Sequence, residues 1–440
     1  MQRQRKAIGG SGKDRRKAET EEGYKMVIVC GRYTEDTEQL LETTKNIGLD
    51  TEILIWNYDG FLPEGVRSPW EYVVSAQCRT KREEKKLFYA FLRIPDCWEV
   101  RAEGINGAVF DMGCKKATIY FQEPVEERNV QRVEWCMEDG RVYRTDFYNQ
   151  FAQRYASEFH GMDNMTESRV FYSDRNEEII VEWSQNEVVQ ILENGKQKVC
   201  FHSYGQFLEY FIRESGLGPK RALFIQKEED FELLKLSEDR EWEFILFSDQ
   251  TLLDRYVGMG GKNGYEFCAV PETYSPHVIR REALILTASD QLEGIDYLID
   301  HLEDIQFHIA ANTQVSDKIR NLAERKNVKI YPQVHPNVLE RLWETCDLYL
   351  DINYYREIQH AVRRALWHHL LLMGFDETVH NRKLFAEELI FSRAEPEKMV
   401  QRIKWLICDS EASQIILEKQ RKKAYGMWEN IQKRLKQTEV

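Results

Sequence analysis

"RVEWCMEDGRVYRTDFYN" (132–149), "RVFYSDRNEEIIVEW" (169–183) and "EVVQILENGKQKVCF" (187–201) fall in one stretch, 104–201, with "AVFDMG" (108–113) and "ATIYFQE" (117–123) ahead of them. Each segment is rich in Val, Ile, Tyr, Phe and Trp, residues that suit a pleated, half-buried surface. Turn pairs such as Asp139-Gly140 and Asn194-Gly195 separate them. Asn-Gly and Asp-Gly supply the positive φ values that tight hairpin turns need. The stretch therefore predicts a run of antiparallel hairpins, a β-meander.

The flanks have a different rhythm. "MVIVC" (26–30) reads as a short buried strand, and "TEDTEQLLETTKNIG" (34–48) as a helix with Gly48 as its C-cap. "DTEILIWNYDG" (50–60) is the next strand, which completes a βαβ unit. Prolines 63 and 69 break the pattern, and "RTKREEKK" (79–86) is an exposed charged run. After the meander, "SYGQFLEYFIRES" (203–215) is an amphipathic helix, and strand and helix alternate again. A second β/α series starts at Ala283. Within it, "NVLERLWETC" (337–346) is a helix expected to be capped by Asn337 behind Pro336. Ala424, Trp428, Ile431 and Leu435 give the last helix one apolar stripe.

The expected fold class is α/β: twin Rossmann domains of the GT-B type with an inserted antiparallel β-meander domain. The expected boundaries are a basic disordered tail at 1–25, a first Rossmann-like domain at 26–65 and 202–280, the inserted meander at 66–201, and a second Rossmann-like domain at 281–440 with a crossing C-terminal helix.

At 440 residues the chain is too long for one core. A net charge of −13 argues against a phosphate-backbone ligand, so no nucleic acid is expected as a partner. The nine cysteines are scattered singly with no C-x-x-C spacing, which reads as reduced thiols in a cytoplasmic protein. No apolar run reaches the roughly 18 residues of a membrane span. The first 20 residues have no apolar centre, so no secretory signal is expected. Arg3, Arg5, Lys6, Lys13, Arg15, Arg16 and Lys17 make that tail basic. It reads as a solvated tail, with contact to anionic lipid or nucleic acid as the alternative. Met26 is the expected start of the functional protein.

The second β/α series resembles GT-B glycosyltransferases in "VKIYPQVHPNVLERLWETCDLYLDINYYREIQHAVRRAL" (328–366). In many retaining members a loop glutamate contacts the donor sugar, and a second glutamate eight positions on binds the ribose. Here Glu357 stands at the first position and Ala365 at the second. Tyr354, Tyr355 and Arg356 replace the expected glycines, where bulk hinders close approach of backbone to a nucleotide. "VGMGGKNG" (257–264) has neither P-loop nor dinucleotide-fingerprint spacing. His368-His369 lacks zinc-ligand spacing, so no metal and no cofactor are expected.

"NYDGFLPEGVRSPWEYV" (57–73), "IPDCWEV" (94–100), "GAVFDMGCKKATIYF" (107–121) and "DGRVYRTDFYNQFAQRY" (139–155) resemble the glycosyltransferase-stabilising GtfB family of the accessory Sec system, from Met26 to the C-terminus. That resemblance implies a non-catalytic subunit in complex with a GtfA-like catalytic glycosyltransferase. The pair would modify Ser and Thr of unfolded serine-rich repeat adhesins with N-acetylglucosamine in the cytoplasm. Peripheral contact with the inner membrane face stays open. The alternatives are an active retaining UDP-sugar-dependent glycosyltransferase and a chaperone that only stabilises its partner.

In open α/β sheets ligands sit at the C-terminal strand ends. That rule nominates His335, Asn353, Tyr354, Tyr355, Arg356 and Glu357 for acceptor-peptide binding. Trp135, Tyr143, Phe147 and Tyr148 are nominated for the partner interface, with burial in the meander's own core as the alternative.

Overall fold

β1 (Met26–Cys30) is buried at every position, as a central strand covered on both faces must be. This is the opening of a computed structural model that describes residues 25–78, 84–218, 220–237, 241–273 and 280–437. The basic tail from Arg3 to Lys17 and residues 79–83 of the charged run lie outside the described residues.

α1 (Glu35–Asn46) follows, with Glu35, Asp36 and Glu38 in its first turn, where the helix dipole favours negative charge. Gly48 ends it at φ +70°, and the Leu49 N–H reaches the Thr44 carbonyl at 2.8 Å, as expected for a glycine cap. β2 (Thr51–Ile55) pairs parallel with β1, and β3 (Val66–Arg67) parallel with β2. α2 (Pro69–Ser75) precedes the inserted sheet.

That sheet has ten strands: β4 (Glu99–Glu103), β5 (Asn106–Asp111), β6 (Cys114–Phe121), β7 (Val130–Cys136), β8 (Val142–Tyr148), β9 (Arg154–His160), β10 (Thr166–Tyr172), β11 (Glu178–Trp183), β12 (Val188–Glu193) and β13 (Lys196–Phe201). Spatial order equals chain order, and each neighbouring pair is antiparallel: the sheet is the expected meander. Asn194 and Gly195 both have positive φ, +53° and +71°, the geometry of a two-residue hairpin turn.

α3 (Tyr204–Glu214), β14 (Arg221–Ile225), β15 (Ile245–Phe247), α4 (Gln250–Gly258) and β16 (Gly264–Glu266) resume the first β/α series. Its sheet runs β16-β15-β14-β1-β2-β3. Counted within that sheet, this is the doubly-wound order 3-2-1-4-5-6, and the meander is inserted between its third and fourth strands.

The second series comprises β17 (Glu282–Thr287), α5 (Ile295–His301), β18 (Gln306–Ala311), α6 (Asp317–Asn321), β19 (Val328–Tyr331), α7 (Pro336–Thr345), β20 (Leu348–Asp351), α8 (Ala361–Trp367), β21 (Leu371–Phe375), β22 (Ile390–Phe391), α9 (Pro396–Cys408) and α10 (Ser410–Gln437). All five of its strand pairings are parallel, in the order β19-β18-β17-β20-β21-β22. That is 3-2-1-4-5-6 again. The chain thus carries two Rossmann sheets and a meander, the fold class the alternation of patterns predicts.

By contact density the chain forms two compact units. The first is Met1–Arg32, Asp50–Leu223 and Phe231–Trp242. Its aromatic centre is Trp70, stacked on Phe171 at 5.0 Å and within 4.7 Å of Phe207 and 5.4 Å of Trp56. On one face of the meander Val109, Ile119, Val133 and Trp135 form a core covered by Leu87, Ile94 and Trp98. The second unit is Tyr33–Leu49, Phe224–Asp230 and Glu243–Val440. The four residues of the predicted last-helix stripe, Ala424, Trp428, Ile431 and Leu435, are all buried. Trp428 donates its indole N–H to the Cys268 carbonyl at 2.8 Å.

Candidate functional site

A concavity at the strand ends lies inside the second unit. It is a cleft of about 900 Å³, open to solvent. One wall comes from the C-terminal ends of β17, β18, β20 and β21, through Ala288, Asn312, Thr313, the loop 356–360 and Asn381–Leu384. The opposite wall comes from the segments that follow β15 and β16, through Ser248, Thr251 and Phe267. This is where an open α/β sheet places a ligand.

Neutral amides and hydroxyls are prominent in the lining: Ser248, Gln250, Thr251, Asn312, Thr313 and Gln359. The charged groups are largely committed. Arg363 is 4% exposed, hydrogen-bonds the Asp36 carboxylate, and donates to the Ser248 carbonyl at 2.9 Å. Its guanidinium lies over the Phe267 ring at 5.1 Å. Lys383 pairs with Glu266 at 2.7 Å. Arg364, the next residue along α8, is clamped by Glu35 at 2.9 Å and Glu340 at 2.5 Å.

Glu357 has a local task. Its Oε1 accepts the Val362 N–H at 2.9 Å and so satisfies an open donor in the first turn of α8. Burial raises its carboxyl pKa above the usual range, and the Val362 bond opposes that shift. Ala365 is fully buried in α8, so neither its methyl nor its position faces a ligand. α8 starts only at Ala361, because Gln359 and His360 sit at positive φ, +48° and +52°.

Among the other nominated residues, Asn353 is buried and organises the loop. Its Oδ1 accepts from Thr287 Oγ1 at 3.1 Å, Ser289 Oγ at 3.0 Å and the Tyr355 N–H at 3.2 Å. Tyr354 and Tyr355 are 41% and 50% exposed. The Tyr354 hydroxyl donates to Glu293, and Arg356 lies over the Tyr355 ring at 5.7 Å. Arg356 and Glu357 line the cleft; Asn353, Tyr354, Tyr355 and His335 do not. His335, not Asn337, caps α7: its Nδ1 accepts the Asn337 N–H at 3.3 Å. Pro336 explains the correction. With no N–H and a φ preset for helix it occupies the first helical position, which puts the cap at His335, two residues upstream of Asn337.

The loop is held by a pair of which Asp351 is buried and His380 half-buried. His380 Nδ1 meets Asp351 Oδ1 at 2.8 Å, and its Nε2 meets the Tyr355 carbonyl at 2.6 Å. Burial alone would lower the His380 pKa. The Asp351 hydrogen bond and charge, with the Tyr355 carbonyl, outweigh burial and raise it, because only the imidazolium can donate at both nitrogens. The stabilisation from a raised histidine is complete below about pH 6.5 and drains as pH rises through the raised value. We predict that the stability gap between the parent and His380→Gln narrows above that pH in urea titrations. A gap that stays constant from pH 5 to 9 would refute the charged pair.

His368 is stacked against Trp343 at 6.1 Å, and burial with the Arg364 charge holds it to about 4. In the meander, Trp135 is buried and donates its indole N–H to Asp146 at 2.7 Å. Tyr148 is partly buried against the same core, and burial pushes its hydroxyl pKa up. Phe147 faces Tyr155 at 6.3 Å, and Tyr143 is the most exposed of the four nominated aromatics.

Reading single positions missed the cleft-facing polar residues Ser248, Asn312, Thr313 and Asn381. They follow strands in sequence, and that position was the available clue. Among the described residues no helix is long and apolar enough to cross a membrane.

Comparison with known proteins covers most of the chain. Three family models match in order: the GtfB N-terminal domain over residues 31–73, the GtfB middle domain over 98–202, and the GftB/GlyA-F C-terminal domain over 283–420. The UDP-N-acetylglucosamine–peptide N-acetylglucosaminyltransferase stabilizing protein GtfB of Streptococcus parasanguinis is 27% identical, over 89% of this chain and 94% of that protein. Its namesake from Streptococcus agalactiae is 28% identical, over 90% and 95%. A chain of the crystal structure of a GtfA/B complex bound to UDP and GlcNAc superposes with a TM-score of 0.61 at 23% identity, over 91% of this chain and 96% of that one. TarM of S. aureus superposes at 0.51 with 12% identity, over 93% and 99%. These superpositions show the fold.

Proposed function

We infer the function from one premise: the chain belongs to the GtfB family of glycosyltransferase-stabilising proteins. The chain is the non-catalytic, acceptor-binding and stabilising subunit of an O-GlcNAc transferase complex. Its partner is a GtfA-like catalytic subunit. The complex transfers N-acetylglucosamine to Ser and Thr of unfolded serine-rich repeat adhesins before accessory Sec export. It works in the cytoplasm.

One observation carries the non-catalytic reading: the glutamate and two of the cations at the cleft are engaged within the protein, and the second glutamate position is a buried alanine. Glu357 caps α8, Ala365 is buried, Arg363 is bound to Asp36, and Lys383 to Glu266. What remains is a wide cleft lined by amides and hydroxyls, which suits the backbone and side chains of an extended, uncharged Ser/Thr-rich chain. The acceptor runs from this cleft past Arg356 onto the exposed Tyr354–Tyr355 ledge, while Asn353, Glu357 and His335 keep the surrounding loops in place. Tyr143 is the exposed aromatic among the four taken for the meander's partner surface, while Trp135 and Tyr148 belong to the core of the meander.

Calorimetry on the isolated chain tests the reading. The expected result is binding of a synthetic Ser/Thr-rich peptide, no binding of UDP-GlcNAc, and no sugar transfer without the partner. Transfer by the chain alone would overturn it. We further predict that Tyr354→Ala with Tyr355→Ala weakens peptide binding by about tenfold, since aromatic anchors dominate such contacts, and leaves assembly with the catalytic subunit intact. Unchanged peptide affinity would remove the ledge from the binding path.

A further inference from the structure

Arg363 is an unusual wall residue for a cleft of this size. It is nine-tenths buried, yet it lines the cavity, and its Nε–H makes no hydrogen bond among the described residues. A guanidinium has five N–H donors in a fixed fork that matches phosphate as well as carboxylate. Here one arm is spent on the Ser248 carbonyl and another on Asp36, with the Phe267 ring against the guanidinium. Lys383, at the same cleft, has its ammonium on Glu266, and the Asn381 amide leans on that carboxylate at 3.5 Å. Two of the three cations that line this cleft, Arg363 and Lys383, are therefore occupied by carboxylates of the protein itself, while the third, Arg356, lies over the Tyr355 ring.

We propose that Asp36 and Glu266 are built-in counter-anions that determine the specificity of the cleft. They fill an anion site on Arg363 and Lys383 and so exclude phosphate-bearing ligands while leaving neutral chains free to enter. The electrostatics favour this. A buried guanidinium keeps a counter-charge because the uncompensated charge is costly in a low-dielectric site. An incoming phosphate must displace an anion that is already covalently tethered and positioned, whose effective concentration a free ligand does not match. The inference rests on the acceptor reading, in which the cleft holds an uncharged polypeptide.

The test is calorimetry with inorganic pyrophosphate on the full chain and on the Asp36→Asn, Glu266→Gln double variant. We expect the double variant to bind pyrophosphate at least tenfold more tightly than the parent. Adding Arg363→Gln should return the affinity to the parent's level. A double variant with parent-like circular dichroism and unchanged pyrophosphate affinity overturns the proposal. Should Asp36→Asn fail to fold, Glu266→Gln alone serves, since Lys383 is exposed and a pair to an exposed lysine contributes little to stability; a gain of about threefold is expected, and no gain overturns the idea. A neutral Ser/Thr peptide is titrated in parallel. If the parent does not bind it, the acceptor reading fails, and the pyrophosphate result still judges the counter-anions.

Discussion

Trp428→Ala is expected to lower the unfolding free energy by about 3–5 kcal/mol, the range for deleting a fully buried large aromatic. Trp428 is 1% exposed, meets Phe267 edge-to-face at 6.3 Å, and donates its indole N–H to the Cys268 carbonyl. Truncation leaves a cavity and also strands that buried carbonyl. The same helix reaches Ile47 through Gln432 and the Pro271 carbonyl through Arg421. All these partners belong to the second unit, whose cleft wall includes Phe267. Loosening α10 should therefore reach the cleft as well as the core. Guanidinium titration measures the loss, and Trp428→Phe should recover more than half of it. A loss under about 1 kcal/mol for the alanine variant would show that the stripe of α10 does not hold this unit together.

The stripe of α10 and the meander were both legible in the sequence because both are local. Asn194-Gly195 announces a turn whichever strands flank it, and residues 424, 428, 431 and 435 share a helix face by spacing alone. The cleft was legible only as a location, the strand ends of a doubly-wound sheet. Its chemistry was hidden because its pairings are distant: Asp36 meets Arg363 across 327 positions, and no periodicity reports such a contact. Glu357 shows the same limit from the other side. Its spacing suggested a donor-site residue, and its geometry makes it a helix cap, since Gln359 and His360 turn the backbone so that the carboxylate lies under the Val362 N–H. At α7 the miss was two residues, Asn337 for His335, and it came from giving Pro336 no part in setting the helix start.

Trp70→Ala should be the most damaging single change in the first unit, again by about 3–5 kcal/mol. Trp70 sits in the first turn of α2 behind Pro69, a position that fixes its direction. Its ring lies nearly parallel to Phe171 of β10, with 5° between the planes, and packs against Phe207 of α3 and Trp56 after β2. One side chain thus joins the inserted meander to the elements before and after it in the chain. Aromatic pairs add about 0.5–1.5 kcal/mol each beyond burial, so the loss exceeds what the area of one ring implies. Near-ultraviolet circular dichroism with a urea titration would read both packing and stability. We expect Trp70→Phe to retain the Phe171 stack and most of the stability. A double-mutant cycle of Trp70→Ala with Phe171→Ala should show coupling of at least about 1 kcal/mol, because the two rings are in direct contact. Additive losses would mean that the meander is anchored elsewhere, and the link from Pro69 through Trp70 to β10 would have to be abandoned.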